Sequence, residues 1–309
     1  MSNIIEARSL TKRFNGFKAV DSIDFSISEG EIFGFLGPNG AGKTTTIRML
    51  TGILIPDGGT ALIGGIDMAK EPIKAKSMIG VIPEVGNIYL DMTALQNIFL
   101  AGKFYGMDKS ILKKRALSLL SVLELEDKKL AVRTFSKGQR QRASIAAAMV
   151  HEPKVLFLDE PTSGLDVVSQ RIIRDLIKQM NSRGTTIFIT THNIEEANIL
   201  CDRLSIINKG RIAVTDKPEA LKSVIEKTKS VETSFDKKID TAALNDLDGV
   251  NRLERRGDKF RMYTINPDRV VKALARFAED NGLKIMALDI LKPSLEDAFI
   301  EFVGGKHEK

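Results

Sequence analysis

From Asn3 to about Val214 short apolar runs alternate with amphipathic stretches, the pattern of an α/β unit with a largely buried sheet. The run Ile32-Phe33-Gly34-Phe35-Leu36 predicts a strand. Lys43 to Ile53 predicts a helix, closed by the turn-forming Pro56-Asp57-Gly58-Gly59. Between Thr93 and His151 only helical spacing is visible. Ala94, Leu95, Ile98, Phe99 and Phe104 fall at three- and four-residue steps, and Ile111, Leu117, Leu120 and Leu123 continue them. An all-helical insertion at about 90–151 is expected. Strands return at Val155 to Leu158, Thr186 to Thr190 and Arg203 to Ile207.

Beyond Val214 the character changes, which divides the chain into 1–217 and 218–309. Pro218 can start a linking helix ending near Lys227. There follow a strand (Ser230–Phe235), a helix (Thr241–Asp246), strands Asn251–Arg256 and Lys259–Ile265, a helix (Asp268–Asn281) and a strand (Lys284–Leu291). Gly257-Asp258 would turn the hairpin. The order β-α-β-β-α-β predicts a small α+β, ferredoxin-like domain. A last helix, Ser294 to Phe302, has Ser at its cap and Glu296 and Asp297 in its first turn.

Composition narrows the class. A length of 309 residues suits two domains, and 43% hydrophobic with 28% charged residues excludes a disordered chain. The net charge of +6 and pI near 9.2 suit phosphate ligands or an anionic membrane surface, but are too weak to imply nucleic acid. With 6% aromatics and no Trp, a base-stacking platform is disfavoured. The single cysteine, Cys201, cannot make an internal disulfide; a reducing compartment and a buried thiol are expected. Glu6 interrupts the start where a signal peptide needs an apolar core, and no run of about 18 apolar residues occurs. A soluble intracellular protein is expected.

Chemistry enters with Gly37-Pro38-Asn39-Gly40-Ala41-Gly42-Lys43-Thr44, followed by Thr45, a full match to G-x-x-x-x-G-K-[ST]. Glycines let successive backbone N–H groups face phosphate oxygens, and the helix opening at Lys43 adds its positive dipole end. Lys43 would reach the β- and γ-phosphates of ATP, and the Thr44 hydroxyl would ligate Mg²⁺. Lys154-Val155-Leu156-Phe157-Leu158-Asp159-Glu160 is an apolar strand ending in paired acids. Asp159 would serve Mg²⁺ at the carboxyl edge of the sheet, and Glu160 would polarise the attacking water.

With these in place, residues 1–215 resemble the ATP-binding subunits of ABC transporters. Phe135-Ser136-Lys137-Gly138-Gln139 is similar to the LSGGQ signature, Ser163-Gly164-Leu165-Asp166 to the D-loop, and Thr191-His192 to the switch histidine. Phe14, in Lys12-Arg13-Phe14, stands where the family sets an aromatic ring against adenine. Each has a structural rival: Phe14 as core, Ser136 and Asp166 as helix caps, His192 as a surface histidine. His151 and His307 fall at a helix end and in the polar tail. Lys137 replaces the common Gly of the signature and Phe135 the common Leu, while Glu84, in Ile82-Pro83-Glu84, stands at the Q-loop in place of Gln. Glu84 is kept as a metal or water contact.

The resemblance implies an ABC-type ATPase domain of the P-loop NTPase class in which two copies, or this chain and a paralogous ATPase subunit, sandwich two ATPs. Each nucleotide would lie between one phosphate loop and the other chain's Ser136–Gln139 segment. A separate membrane permease would dock near 84–105, where Tyr89, Leu90 and Met92 look exposed, holding the chain on the inner face of the cell membrane. Leu295-Glu296-Asp297-Ala298-Phe299 resembles the tail of ATPases serving drug-efflux permeases, which favours export over import. The alternatives are an importer ATPase subunit, a nucleotide-dependent regulator or binding module with little turnover, and a soluble ABC-type ATPase acting in translation or DNA maintenance. Intact Asp159-Glu160 and His192 argue against the regulator. One phosphate loop, one cysteine and no sustained heptads fit the soluble ATPase poorly.

Overall fold

The computed structural model describes residues 2–84, 86, 88–125, 130–224 and 229–304. Two units separate, Met1–Lys217 and Pro218–Lys309.

The first unit opens with β1 (Asn3–Phe14) and β2 (Phe17–Ser28), an antiparallel pair turned at Asn15-Gly16. Both turn residues have positive φ, 47° and 83°, the geometry of a type I′ hairpin turn and of the Asn-Gly dipeptide. With β4 (Gly58–Ile63) and β5 (Ile66–Asp67) they form a four-stranded sheet ordered β2-β1-β4-β5. Sequence patterning did not disclose this sheet. Ser9 and Ser22 adopt φ of 48° and 50°, and the β1–β2 register shifts repeatedly, so neither strand keeps a clean two-residue alternation.

The second sheet is mostly parallel, in the order β10-β9-β3-β8-β7-β6. Its strands are β3 (Ile32–Leu36), β6 (Ile79–Ile82), β7 (Val155–Asp159), β8 (Thr186–Thr191), β9 (Arg203–Asn208) and β10 (Arg211–Asp216). Only the β9–β10 pair is antiparallel. Alternation along β3 shows why its sequence reads as unbroken apolar: Phe33 and Phe35 meet Phe25 of β2, whereas Gly34 lies against Cys201 on the opposite face. Phe25, Phe33, Phe35, Phe157 and Phe188 join the two sheets, with neighbouring ring centroids such as Phe25–Phe35 and Phe157–Phe188 at 5.5 and 5.6 Å. The free Cys201 is buried, and burial pushes its thiol far above its ordinary range, so it acts as a small apolar residue.

Helices complete the unit. In chain order they are α1 (Lys43–Leu50), α2 (Pro72–Lys76), α3 (Ala94–Phe104), α4 (Lys109–Val122), α5 (Lys137–Met149), α6 (Val167–Ser182) and α7 (Ile194–Leu200). A capping box of Thr93 and Gln96 starts α3, which packs on α4 and α5. Two details depart from the spacing. α1 ends at Leu50 and not at Ile53, and α4 buries Leu112, Ala116 and Leu120 while Ile111 and Leu117 face outward. Phe104 is exposed too. His151 stacks on Tyr105 with centroids 3.5 Å apart, and its Nε2 lies 2.9 Å from the Ile79 carbonyl.

The second unit begins with α8 (Pro218–Val224); the expected extension to Lys227 reaches outside the described residues. Next come β11 (Lys229–Phe235), α9 (Thr241–Asn245), β12 (Arg252–Arg256), β13 (Lys259–Thr264), α10 (Pro267–Asp280), β14 (Ile285–Leu291) and α11 (Leu295–Gly304). The sheet is ordered β12-β13-β11-β14 with every neighbour antiparallel. Val231, Leu244, Phe260, Met262, Val270 and Leu274 form its own core.

Phe188→Ala removes the ring that touches four other phenylalanines, and a loss of about 3–5 kcal/mol in unfolding free energy is expected. Leu274→Ala, within the second unit, should cost about 2–5 kcal/mol. Denaturant unfolding followed by hydrogen exchange in the affected unit checks both; a loss below about 1 kcal/mol at either position would contradict the packing described.

Candidate active site

Three strand ends of the parallel sheet converge. β3 runs into the loop Gly37–Gly42, β7 ends in Asp159 followed by Glu160, and β8 is followed by His192. Parallel strands bring these turns to one edge, since all three end on the same side.

The loop is held by close backbone approach. A Cβ at Gly42 would lie 2.6 Å from the Ala19 carbonyl, and Gly42 has φ 108°, so only glycine fits there. The Gly37 N–H donates to the Thr191 carbonyl at 3.3 Å, tying the loop to the end of β8. Gly42 supplies no side-chain cap to α1, which leaves its first N–H groups for an anion. Lys43 is buried, and its ammonium donates to the carbonyls of Gly37 at 2.7 Å and Pro38 at 3.2 Å.

The Glu160 carboxylate is equally buried and meets Lys43 Nζ at 3.2 Å through Oε1. Its Oε2 lies 2.7 Å from His192 Nδ1 and accepts the His192 backbone N–H at 3.3 Å. Glu160 has φ 51°, a left-handed conformation that costs a non-glycine residue about 1–3 kcal/mol. Its N–H donates to the Thr190 carbonyl at 3.0 Å and lies 3.2 Å from the Thr190 hydroxyl, which fixes that strained turn. The Thr190 hydroxyl also donates a short hydrogen bond to Asp159 Oδ1. Lys43, Glu160, Thr44, Thr45, Asn39, Gly40 and Glu84 line one cleft of about 300 Å³.

The remaining expected residues lie apart from this cleft. Phe14 ends β1 and is 44% exposed, which removes the core reading, with Lys12 Nζ 5.7 Å from its ring centroid. Ser136 caps α5 in a capping box with Gln139, Gly138 is buried, and Lys137 is exposed. Asp166 caps α6, its Oδ1 accepting the Ser169 N–H at 2.9 Å. Of the expected docking segment, Tyr89 and Leu90 are exposed and Met92 is half-buried. His307 lies outside the described residues.

Two features escaped the sequence. Phe17, paired with Phe14 across the hairpin, is also exposed; the Asn15-Gly16 turn signal would have placed it. Glu196 is buried on α7, and its Oε1 accepts the Thr162 hydroxyl at 2.7 Å. Burial raises its carboxyl pKa, opposed by the Thr191 and Thr162 hydroxyls. In sequence it is one more acid in a helical first turn.

Residues 20–163 match the ABC transporter family. The linearmycin resistance ATP-binding protein LnrL of Bacillus subtilis (strain 168) is 36% identical, spanning 97% of this chain and 98% of its own length. The Nod factor export ATP-binding protein I of Ralstonia nicotianae is 35% identical, over 97% of this chain and 94% of its own. The chain belongs to the ATP-binding subunits of ABC transporters. Like this ABC subunit's first unit, a solved ATP-binding subunit of an ABC transporter has the family fold. It superposes with a TM-score of 0.66 at 27% identity, covering 72% of this chain and 93% of that one. A dimeric ATP-binding cassette in a post-hydrolysis state with ADP and Pi follows at 0.63 and 28%, covering 69% and 98%. The ABC subunit is therefore a P-loop ATPase that binds and hydrolyses ATP. Likeness to the resistance and export subunits extends over residues 218–309 as well, because it covers 97% of the chain. Among the described residues no helix is long and apolar enough to cross a membrane.

Lys43→Ala removes a charged donor aimed into the cleft. A loss of about ten- to a hundredfold in ATP affinity by calorimetric titration is expected, the scale of a charge-assisted hydrogen bond. Unchanged affinity would remove Lys43 from the binding site.

Proposed function

We propose that this subunit powers export through a separate membrane permease, working as a pair of ATPase domains on the inner face of the cell membrane. The observation that carries its ATPase half is the Lys43–Glu160–His192 chain of contacts at the cleft. The whole-length likeness to subunits named for linearmycin resistance and Nod factor export supports the direction, and a drug-, lipid- or polysaccharide-type cargo is proposed with it. The second copy is this chain or a paralogous subunit, and the permease docks by the exposed Tyr89 and Leu90 beside the helical subdomain of about 90–151. Residues 218–309 are read as a ferredoxin-like accessory domain, in keeping with the strand order β12-β13-β11-β14.

In each half the ring of Phe14 stacks on adenine, and the loop Gly37 to Thr45 surrounds the phosphates with the N–H groups that its backbone leaves free. Lys43 transfers its ammonium from the Gly37 and Pro38 carbonyls to the β- and γ-phosphate oxygens. Among the described residues no three His, Cys, Asp or Glu side chains cluster to hold a metal alone. The oxygen donors Thr44, Asp159 and Glu84 do suit Mg²⁺, which takes one or two carboxylates and completes its shell with phosphate and water. Bound there, Mg²⁺ would neutralise charge on the phosphates.

Glu160 accepts a proton from a water as that water's oxygen bonds to the γ-phosphorus. The bond to the β–γ bridging oxygen breaks, leaving ADP and phosphate. His192 holds the Glu160 carboxylate from its far side and reaches the γ-phosphate. Ser136, Lys137, Gly138 and Gln139 present the N-terminus of α5 to the partner's ATP, where the capping role of Ser136 and an anion-binding role coincide. Asp166 caps α6 beside that contact.

Glu160→Gln is expected to lower kcat at least about a hundredfold, the scale of a lost general base, while ATP now holds a dimer visible by size-exclusion chromatography. A variant that turns over normally would remove Glu160 from this role. Glu84→Gln should shift the Mg²⁺ concentration for half-maximal hydrolysis and leave metal-free nucleotide binding unchanged. Superimposable Mg²⁺ titrations would make Glu84 an ordinary loop acid.

A further inference from the structure

Lys137 is, with Phe135, one of two residues by which this signature segment departs from the common pattern, and its side chain does not follow the helix it starts. The ammonium donates to the Ser163 carbonyl at 2.8 Å, joining the first residue of α5 to the loop before α6. A cation in the first turn opposes the positive end of the helix dipole. Engaging a carbonyl of another loop offsets that penalty and turns the charge away from the helix end.

Further contacts lie beside this hydrogen bond. A Cβ at Gly138 would stand 2.5 Å from Ser169 Oγ, so the backbone of α5 rests directly on that hydroxyl. Ser169 in turn donates to Asp166 through its N–H at 2.9 Å and through its hydroxyl at 2.7 Å. At Gly164, with φ 64°, a side chain would fall on the Lys137 ammonium itself. The loop also runs straight into the catalytic turn, since the Ser163 N–H donates to the Glu160 carbonyl at 3.1 Å.

We propose that Lys137 is a positioning residue that ties the loop of Ser163, Gly164 and Asp166 to the signature helix within one chain, so that both meet the partner's nucleotide as one body. This rests on the reading of Ser136–Gln139 as facing the partner's ATP. A disturbance of the signature helix then reaches Glu160 through Ser163, linking the surface that binds one ATP to the carboxylate that hydrolyses the other.

Hydrogen exchange on the full-length, nucleotide-free subunit tests the tether. In Lys137→Met the amides of Ser163 to Asp166 should exchange several-fold faster than in the wild type. Lys137→Arg, which keeps a donor, should restore protection. Steady-state hydrolysis by Lys137→Met should show kcat several-fold lower with KM for ATP unchanged. Unaltered exchange at Ser163 to Asp166 would overturn the proposal. So would a Lys137→Met protein that keeps this protection but loses its preference for ATP over ADP in forming dimers, because the ammonium would then serve as a phosphate contact. The exchange is read without nucleotide, so failure of Glu160→Gln to dimerise on ATP would overturn the dimer reading separately.

Discussion

A buried ammonium and a buried carboxylate 3.2 Å apart, Lys43 and Glu160, set the constraint that the rest of the first unit satisfies. Neither charge is tolerated alone in such a place; removing one partner of a buried pair typically costs about 3–5 kcal/mol. The surroundings divide the load. Gly37 and Pro38 give Lys43 two carbonyl acceptors, and His192 gives Glu160 a second partner. An incoming phosphate can replace the acceptors of Lys43 without leaving its charge unpaired. That makes the site receptive to an anion while stable without one.

Rigidity comes from the sheets. Five phenylalanines lock the parallel sheet to its antiparallel neighbour, so the ends of β3, β7 and β8 cannot drift apart. The left-handed turn at Glu160 persists because two bonds to Thr190 over-determine it. Away from that platform, the N-terminus of α5 and the loop before α6 are joined by the Lys137–Ser163 hydrogen bond, and the proposed contact with the partner's ATP falls to them.

How much was legible follows from how local each feature is. The phosphate loop and Asp159-Glu160 each occupy consecutive residues at one strand end, so their spacing carried them, and the capping roles of Ser136 and Asp166 were equally local. The βαββαβ order of the second unit could be read from turn residues and alternation, with strand ends displaced by a residue or so. The antiparallel sheet could not, because bulges at Ser9 and Ser22 break the period that reveals a strand. Nor could the outward positions of Phe104, Ile111 and Leu117, since packing partners and not spacing alone choose which stripe of a helix is buried. Contacts between distant residues were invisible: Lys137 with Ser163, and Thr162 with Glu196.

If the buried pair governs the site, Glu160 competes with ATP for Lys43. A double-mutant cycle on ATP affinity under non-hydrolysing conditions, by calorimetric titration at a protein concentration that keeps the subunit monomeric, tests this directly. Glu160→Gln should tighten ATP binding in the wild-type background and give no gain when Lys43→Ala is already present. Equal effects of Glu160→Gln in both backgrounds would show that the two charges act independently and would contradict the constraint placed at the centre of the site.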